Sequence, residues 1–230
     1  MVAQTIFITG TDTGVGKTHV ACALLRKLRR RKLRVCGFKP VASGCVHTPE
    51  GLRNADALAL QQAAATSEPY EQINPYAFEP AIAPHLAAVR AGDHISITRL
   101  RDAHAKLAAA HELIVVEGAG GWRVPLDETW TMAEFVAEQE WPVILVVGMR
   151  LGCINHALLS ADAIMRGTRL VGWVANALPP QMDELEANIE TLRAHLSAPL
   201  LGVIPGVGGA AAAERALDLA PLEGFLRRRA

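Results

Sequence analysis

Runs that are apolar throughout recur along the chain at residues 5–9, 35–38, 113–116, 143–147, 170–174 and 200–204. A strand with one wet face alternates apolar and polar side chains, whereas an unbroken apolar run belongs to a strand covered on both faces. Between the runs, helix-patterned stretches predict helices over 17–30, 55–64, 97–110, 132–140, 157–166 and 183–195. Strand and helix alternating in this way predict an α/β fold, a doubly wound and mainly parallel sheet flanked by helices. One domain over residues 1–230 is expected, since parallel α/β cores of this size commonly stay undivided. The low-complexity stretch 206–213 reads either as a mobile loop or as a tight lining near a ligand.

Charge changes the picture by exclusion. Lys plus Arg and Asp plus Glu number 23 each, so no global field exists to hold nucleic acid or an anionic membrane, and any anion must be bound locally. The N-terminal sequence lacks a basic leader, and no apolar run approaches the roughly 20 residues of a membrane span. Cys22, Cys36, Cys45 and Cys153 form no C-x-x-C pair, which suits free thiols in a reducing compartment. A cytoplasmic protein without nucleic-acid or membrane partners is therefore expected. The basic run Arg29–Lys32 falls at the end of the first predicted helix, where cations favour the dipole, and reads as a solvated helix end.

In open parallel sheets, ligands bind beyond the carboxyl ends of the strands, so the residues just after each run carry the chemistry. After the first comes Gly10-Thr-Asp-Thr13-Gly14-Val15-Gly16-Lys17-Thr18, leading into a helix. Small residues let backbone N–H groups converge on phosphates, the helix start adds a favourable dipole, Lys17 supplies charge and Thr18 a hydroxyl for a metal. That describes a P-loop NTPase-like cradle for a nucleoside triphosphate, formed by Gly14, Val15, Gly16, Lys17 and Thr18. Its leading glycine lies six positions before Gly16, one more than the usual spacing.

Glu117 ends a buried strand ahead of Gly118-Ala-Gly120-Gly121, and as a hard oxygen donor suits Mg2+. Asp56 alone reads as a solvated or dipole-pairing residue at a helix start. Lys39 closes the second strand in Lys39-Pro-Val-Ala-Ser43-Gly44, either as a second cation at the phosphoryl site or as a snorkelling surface lysine. Asn176 ends the fifth strand, where its amide suits adenine or a turn cap equally. The eight histidines show no metal-ligand spacing and no Ser/His/Asp arrangement. Trp122, Trp130, Trp141 and Trp173 read as packing, because no basic groove accompanies them.

Taken in order, the P-loop, Lys39-Pro-Val-Ala-Ser43-Gly44, Glu117-Gly-Ala-Gly-Gly121-Trp122, Leu151-Gly-Cys153-Ile-Asn155-His156 and Gly172-Trp-Val-Ala-Asn176 resemble dethiobiotin synthetase of biotin biosynthesis. The similarity runs from the first strand to Ile204-Pro205. A P-loop is shared by many activities, whereas the second and third motifs together are specific. Gly14 stands where family members carry an acidic residue, which leaves the backbone cradle intact.

The resemblance implies a cyclo-ligase acting on 7,8-diaminononanoate, carbon dioxide (CO2) and ATP, with magnesium. An amine adds to CO2 to give a carbamate, whose oxygen attacks the γ-phosphoryl group and expels ADP to form a carbamic-phosphoric anhydride, and the second amine then closes the ring and expels phosphate. Lys17 and Lys39 would stabilise charge, and Thr13 would touch the γ-phosphate. Thr18, Asp56 and Glu117 would hold the metal, and Asn176 and Pro205 would complete the nucleotide site. Ser43 and Gly120 would position the reacting end of the substrate, and the segment 148–155, with Cys153 and Asn155, its carboxylate. It also implies a homodimer with sites shared across the interface. The alternative is a partitioning-type regulatory ATPase, but such switches commonly carry an additional lysine where this chain reads Gly10-Thr-Asp-Thr13. An ATP-dependent amidation domain is a further rival, yet the chain has no room for a glutamine-hydrolysing domain.

Overall fold

The six apolar runs pair into one sheet, and every pairing in it is parallel. The computed structural model describes residues 3–207 and 209–226. Its first half runs β1 (Gln4–Gly10), α1 (Lys17–Arg30), β2 (Val35–Phe38), β3 (Val41–Ser43), β4 (Val46–Thr48), β5 (Gly51–Arg53), α2 (Ala55–Ala64), α3 (Tyr70–Ile73), β6 (Tyr76–Phe78), α4 (Pro84–Arg90) and α5 (Ile97–Ala110). Its second half runs β7 (Leu113–Glu117), α6 (Met132–Glu138), β8 (Val143–Met149), α7 (Cys153–Met165), β9 (Leu170–Ala177), α8 (Leu185–His195), β10 (Leu200–Ile204), α9 (Gly209–Ala216) and α10 (Glu223–Leu226).

The sheet order is β10-β9-β8-β1-β7-β2. The chain leaves β1 toward the β7–β2 side and later continues on the β8 side, so the order reverses at β1. A crevice therefore opens beyond the carboxyl end of β1, between the ends of β7 and β8. Register places Ile8 beside Glu117 and Gly10 beside Val146, which brings the P-loop and the β7 carboxylate to one rim.

Burial on both faces explains the unbroken apolar runs: all seven residues of β8 and all five of β7 are buried. Successive side chains of a strand point to opposite faces. Ile6 and Ile8 accordingly join one buried cluster with Val20, Leu24, Leu25 and Leu28 of α1, while Phe7 joins the other with Phe135 and Trp173. All four tryptophans pack in or against the second cluster. Among the described residues, no helix is long and apolar enough to cross a membrane.

Two features differ from the sequence reading. Residues 206–213 are neither loop nor lining as a whole: α9 begins at Gly209 and buries Ala213 in the same cluster as α1, with Gly208 outside the described residues. The basic run Arg29–Lys32 is exposed at the end of α1, as expected; Arg30 and Arg31 form surface ion pairs with Glu214 and Glu223, and Lys27 Nζ, just before the run, donates to Glu214 O at 3.2 Å. Helix α7 begins at Cys153, four residues before the expected start, because Gly152 at φ 94° takes the left-handed turn that admits the chain to the helix. The short strands β3 to β6 lack a periodic signal, yet with α2 to α4 they form the excursion between β2 and α5 that carries Ser43 and Asp56.

Candidate functional site

The P-loop is held in shape from both sides. Val15 is fully buried, and a Cβ on Gly10 or Gly148 would lie 2.5 Å or 2.8 Å from its methyl groups, so glycine is required on both strand ends. Gly14 and Gly16 take φ of 75° and 88°, turning the chain into α1. Asn176 is buried at the flank, and its Nδ2 donates to Val15 O at 2.8 Å. The first turn of α1 contains no acidic residue, which leaves its positive dipole end available to an anion.

Lys17 is buried and its ammonium donates to the Asp12 carbonyl at 3.0 Å. Its pKa falls to about 8, first because burial disfavours the charge and then because Lys39 repels it, with Glu117, Asp56 and Asp12 opposing. The Asp12 carboxylate accepts the Thr13 N–H at 2.7 Å and pairs with Arg150 from the loop after β8.

Lys39 is not a snorkelling surface residue: it is 3% exposed and bridges two carboxylates, with Nζ 2.8 Å from Glu117 Oε1 and 3.3 Å from Asp56 Oδ2. Burial works against its charge, but Glu117 and Asp56 outweigh that and raise its pKa above the ordinary value. Burial likewise opposes ionisation of Asp56, yet the Lys39 ammonium and Thr18 hydroxyl hold its pKa below the usual value. Thr18 Oγ1 donates to Glu117 Oε1 at 2.8 Å.

Glu117 is 1% exposed and its Oε2 is buried without a hydrogen-bond partner among the described residues. A buried carboxylate oxygen left unmatched is costly unless a cation or donor completes it. Thr18, Asp56 and Glu117 thus form an oxygen-only donor set suited to a hard dication, which usually takes one or two carboxylates and completes its shell with phosphate oxygens and water. No group of three or more His, Cys, Asp or Glu side chains placed to hold a metal occurs among the described residues.

These groups line a cleft of about 760 Å³, whose other walls are Ser43, the apolar turn Ala81, Ile82, Ala83 and Pro84, and Ala119 to Gly121 with Arg123 to Pro125. The arrangement sets a cradle for phosphates at one end, two ammoniums and two carboxylates at the middle, and an apolar wall beyond. It suits phosphoryl transfer to an anionic acceptor carried on an aliphatic chain.

Matching relatives cover nearly the whole chain. An AAA domain family model matches residues 4–212. The protein named ATP-dependent dethiobiotin synthetase BioD in Pseudomonas paraeruginosa is 52% identical, over 94% of this chain and 96% of that one. Proteins of the same name are 51% identical in Cellvibrio japonicus, over 96% and 99% of the two chains, and 48% identical in Aeromonas hydrophila, over 96% and 100%. The chain belongs to the dethiobiotin synthetase family. A solved structure of the MinC:MinD cell division protein complex of Aquifex aeolicus is similar at TM-score 0.54 and 16% identity, over 96% of this chain and 90% of that one, a likeness of fold alone.

Of the residues the sequence singled out as synthetase contacts, Thr13, Gly14, Gly16, Lys17, Thr18, Lys39, Ser43, Asp56, Glu117 and Gly120 converge on this cleft. Val15, Asn176, Pro205, Cys153 and Asn155 are not among its walls. Pro205 lies at the same end of the sheet as Asn176, where a Cβ on the following Gly206 would come 2.7 Å from Ala177 O. Cys153 is buried and Asn155 exposed on the first turn of α7.

The sequence reading missed Asn54, a buried side chain whose Oδ1 caps α2 by accepting from Asp56 N at 3.0 Å and Ala57 N at 3.2 Å. An asparagine directly before a helical pattern is the signal that could have found it. It also missed Arg123 and the Ala81–Pro84 wall, for which no local signal exists because their relevance depends on what faces them.

Proposed function

We propose that this chain is an ATP-dependent dethiobiotin synthetase that closes a cyclic urea on 7,8-diaminononanoate with CO2, in biotin biosynthesis. The single observation that carries this reading is identity near 50% to synthetases over almost the whole chain, with Thr13, Gly14, Gly16, Lys17, Thr18, Lys39, Asp56 and Glu117 converging on one cleft. The regulatory-ATPase alternative is not favoured, because the likeness to the cell-division ATPase complex is limited to fold at 16% identity.

The chemistry follows from charge. Carbamate and triphosphate are both anions, so catalysis needs fixed cations more than a nucleophilic side chain. The P-loop amides and the start of α1 bind phosphates, and Lys17 leaves the Asp12 carbonyl to meet them. Lys39 lies at the junction of cradle and cleft, where its ammonium faces the carbamate oxygen as it attacks phosphorus. Ser43, on the rim beside Lys39, orients the reacting amine or its carbamate. Thr18, Asp56 and Glu117 would hold magnesium, which when bound neutralises phosphate charge. Asn176, holding the P-loop through Val15, would fix the adenine side of the cradle, with Pro205 alongside. The apolar turn Ala81–Pro84 would receive the aliphatic chain and exclude water from the anhydride.

The homodimer belongs to the same reading: a substrate several carbons long reaches beyond its own cleft, and the start of α7, with Cys153 and Asn155, would take the carboxylate of a substrate bound mainly by the partner. Four free, buried cysteines suit a reducing compartment such as the cytoplasm. The deciding assay is incorporation of labelled CO2 into a cyclic urea. It should require both ATP and the diamine, and ATP hydrolysis indifferent to the diamine would refute the assignment.

A further inference from the structure

Behind the reacting groups runs a chain of buried polar side chains that takes no part in the chemistry just described. Asn74 Nδ2 donates to the Lys39 carbonyl at 2.8 Å and to Tyr76 O at 3.0 Å. The Tyr70 hydroxyl donates to Asn74 Oδ1 at 2.9 Å and accepts the Asn54 backbone N–H at 2.7 Å. Asn54 in turn caps α2 through its Oδ1, one residue from Ala55 and two from Asp56. Asn54, Tyr70 and Asn74 are 7%, 7% and 3% exposed. One end of the chain is thus the backbone of Lys39 and the other is the helix start that carries Asp56, the two groups whose side chains meet at 3.3 Å in the cleft.

We propose that Tyr70 is a positioning residue for the synthetase reaction, holding Lys39 and Asp56 in register through Asn74 and Asn54. Lys39 directly follows β2 and Asp56 lies in the first turn of α2, and between them the chain makes the β3 to β5 excursion, so nothing local in sequence fixes their separation. The tyrosine hydroxyl is well suited to do so. It has one proton to donate and lone pairs to accept, and here it uses both kinds of bond between the start of α2 and the end of α3. A buried network of this sort is rigid while fully matched, and loosens at both ends when its middle member is lost. Displacement by a fraction of an ångström to 1 Å at a reacting group is enough to slow chemistry severely. The P-loop has no member in the chain, so nucleotide binding is expected to be independent of it.

This inference rests on the synthetase reading, and the test separates the two. In Tyr70→Phe the ring stays beneath the Arg53 guanidinium, 4.2 Å from its centroid, while the Asn54 N–H and Asn74 Oδ1 lose their shared partner. We expect kcat at saturating substrates to fall about tenfold, with the ADP dissociation constant within about twofold of wild type. Leu192→Ala, a cavity at a fully buried residue of α8, a helix that packs on α7 and not on α3, serves as the control. It should lower Tm at least as much while keeping kcat within about twofold. Because Tyr70 and Asn74 act through one path, the double variant Tyr70→Phe/Asn74→Ser should be no slower than the Asn74→Ser single by more than about twofold. Should Tyr70→Phe aggregate, Asn74→Ser carries the same kcat and ADP criteria. A Tyr70→Phe enzyme with normal kcat, an equal kcat loss in Leu192→Ala, or multiplying effects in the double variant would each overturn the inference. A wild-type protein that makes no cyclic urea would instead overturn the function beneath it.

Discussion

Lys17 gives the most direct test of the electrostatics. In the nucleotide-free protein its pKa is about 8, held down by burial and by Lys39. About half of the chains therefore carry a neutral Lys17 at pH 8. A nucleotide brings phosphate oxygens to the ammonium and restores a pKa at or above the ordinary value of about 10.4. Binding of ADP should then take up about half a proton per site at pH 8 and about 0.9 at pH 9. By the same linkage the affinity for ADP should weaken about tenfold between pH 7 and pH 9. Isothermal titration calorimetry at fixed magnesium, in two buffers of different ionisation enthalpy, reads the uptake directly. Lys17→Met should remove it. Identical heats in both buffers with wild type, or uptake that persists in Lys17→Met, would refute the assignment of a depressed pKa to Lys17. The sign for folding is also fixed: because the unfolded chain holds this proton up to its ordinary pKa, Lys17 alone makes apo stability rise with pH from about pH 8 to about pH 10.4.

Removing either cation by Lys17→Ala or Lys39→Ala should cost about 100- to 1000-fold in turnover in folded protein, and near-normal kcat in either would remove that lysine from the mechanism. Lys39→Ala should in addition lower Tm, since Glu117 would be left buried without its ammonium partner. Glu117→Gln and Asp56→Asn should raise the magnesium concentration required for half-maximal activity, and an unchanged titration would return Asp56 to an ordinary ion-pairing role. Gly16→Ala should unseat the P-loop, because its Cβ would fall 2.2 Å from Asn176 Nδ2 at φ 88°; a Tm and ADP affinity equal to wild type would show that the turn relaxes freely. Mixing inactive Lys17→Ala with a variant blocked at Cys153 and Asn155 should restore activity if sites are shared between protomers, and demonstrated subunit exchange without recovery would exclude sharing.

The architecture was legible because a two-face-buried strand leaves an unbroken apolar run, and all six such runs became strands of the one parallel sheet. The phosphate cradle was equally legible, since its backbone geometry demands Gly14 and Gly16 and its chemistry demands Lys17 and Thr18 within one short local segment. Local sequence does not encode what faces a residue across the cleft. Lys39 read equally well as a surface lysine, and it is the approach of Glu117 and Asp56 from two other elements that makes it a buried, doubly paired cation. Asp56 read as a solvated helix-start carboxylate for the same reason. The helical identity of 209–216 was hidden because a run of alanine and glycine reads as low complexity, and its docking through Lys27 of α1 joins segments far apart in the chain. By itself the sequence determined the sheet and the cradle, because both follow from periodicity and from residues adjacent in the chain. The cation–carboxylate cluster and the buried path from Lys39 through Asn74 and Tyr70 to Asn54 were decided by tertiary structure, because they join segments that meet only after β2, β7 and α2 have packed.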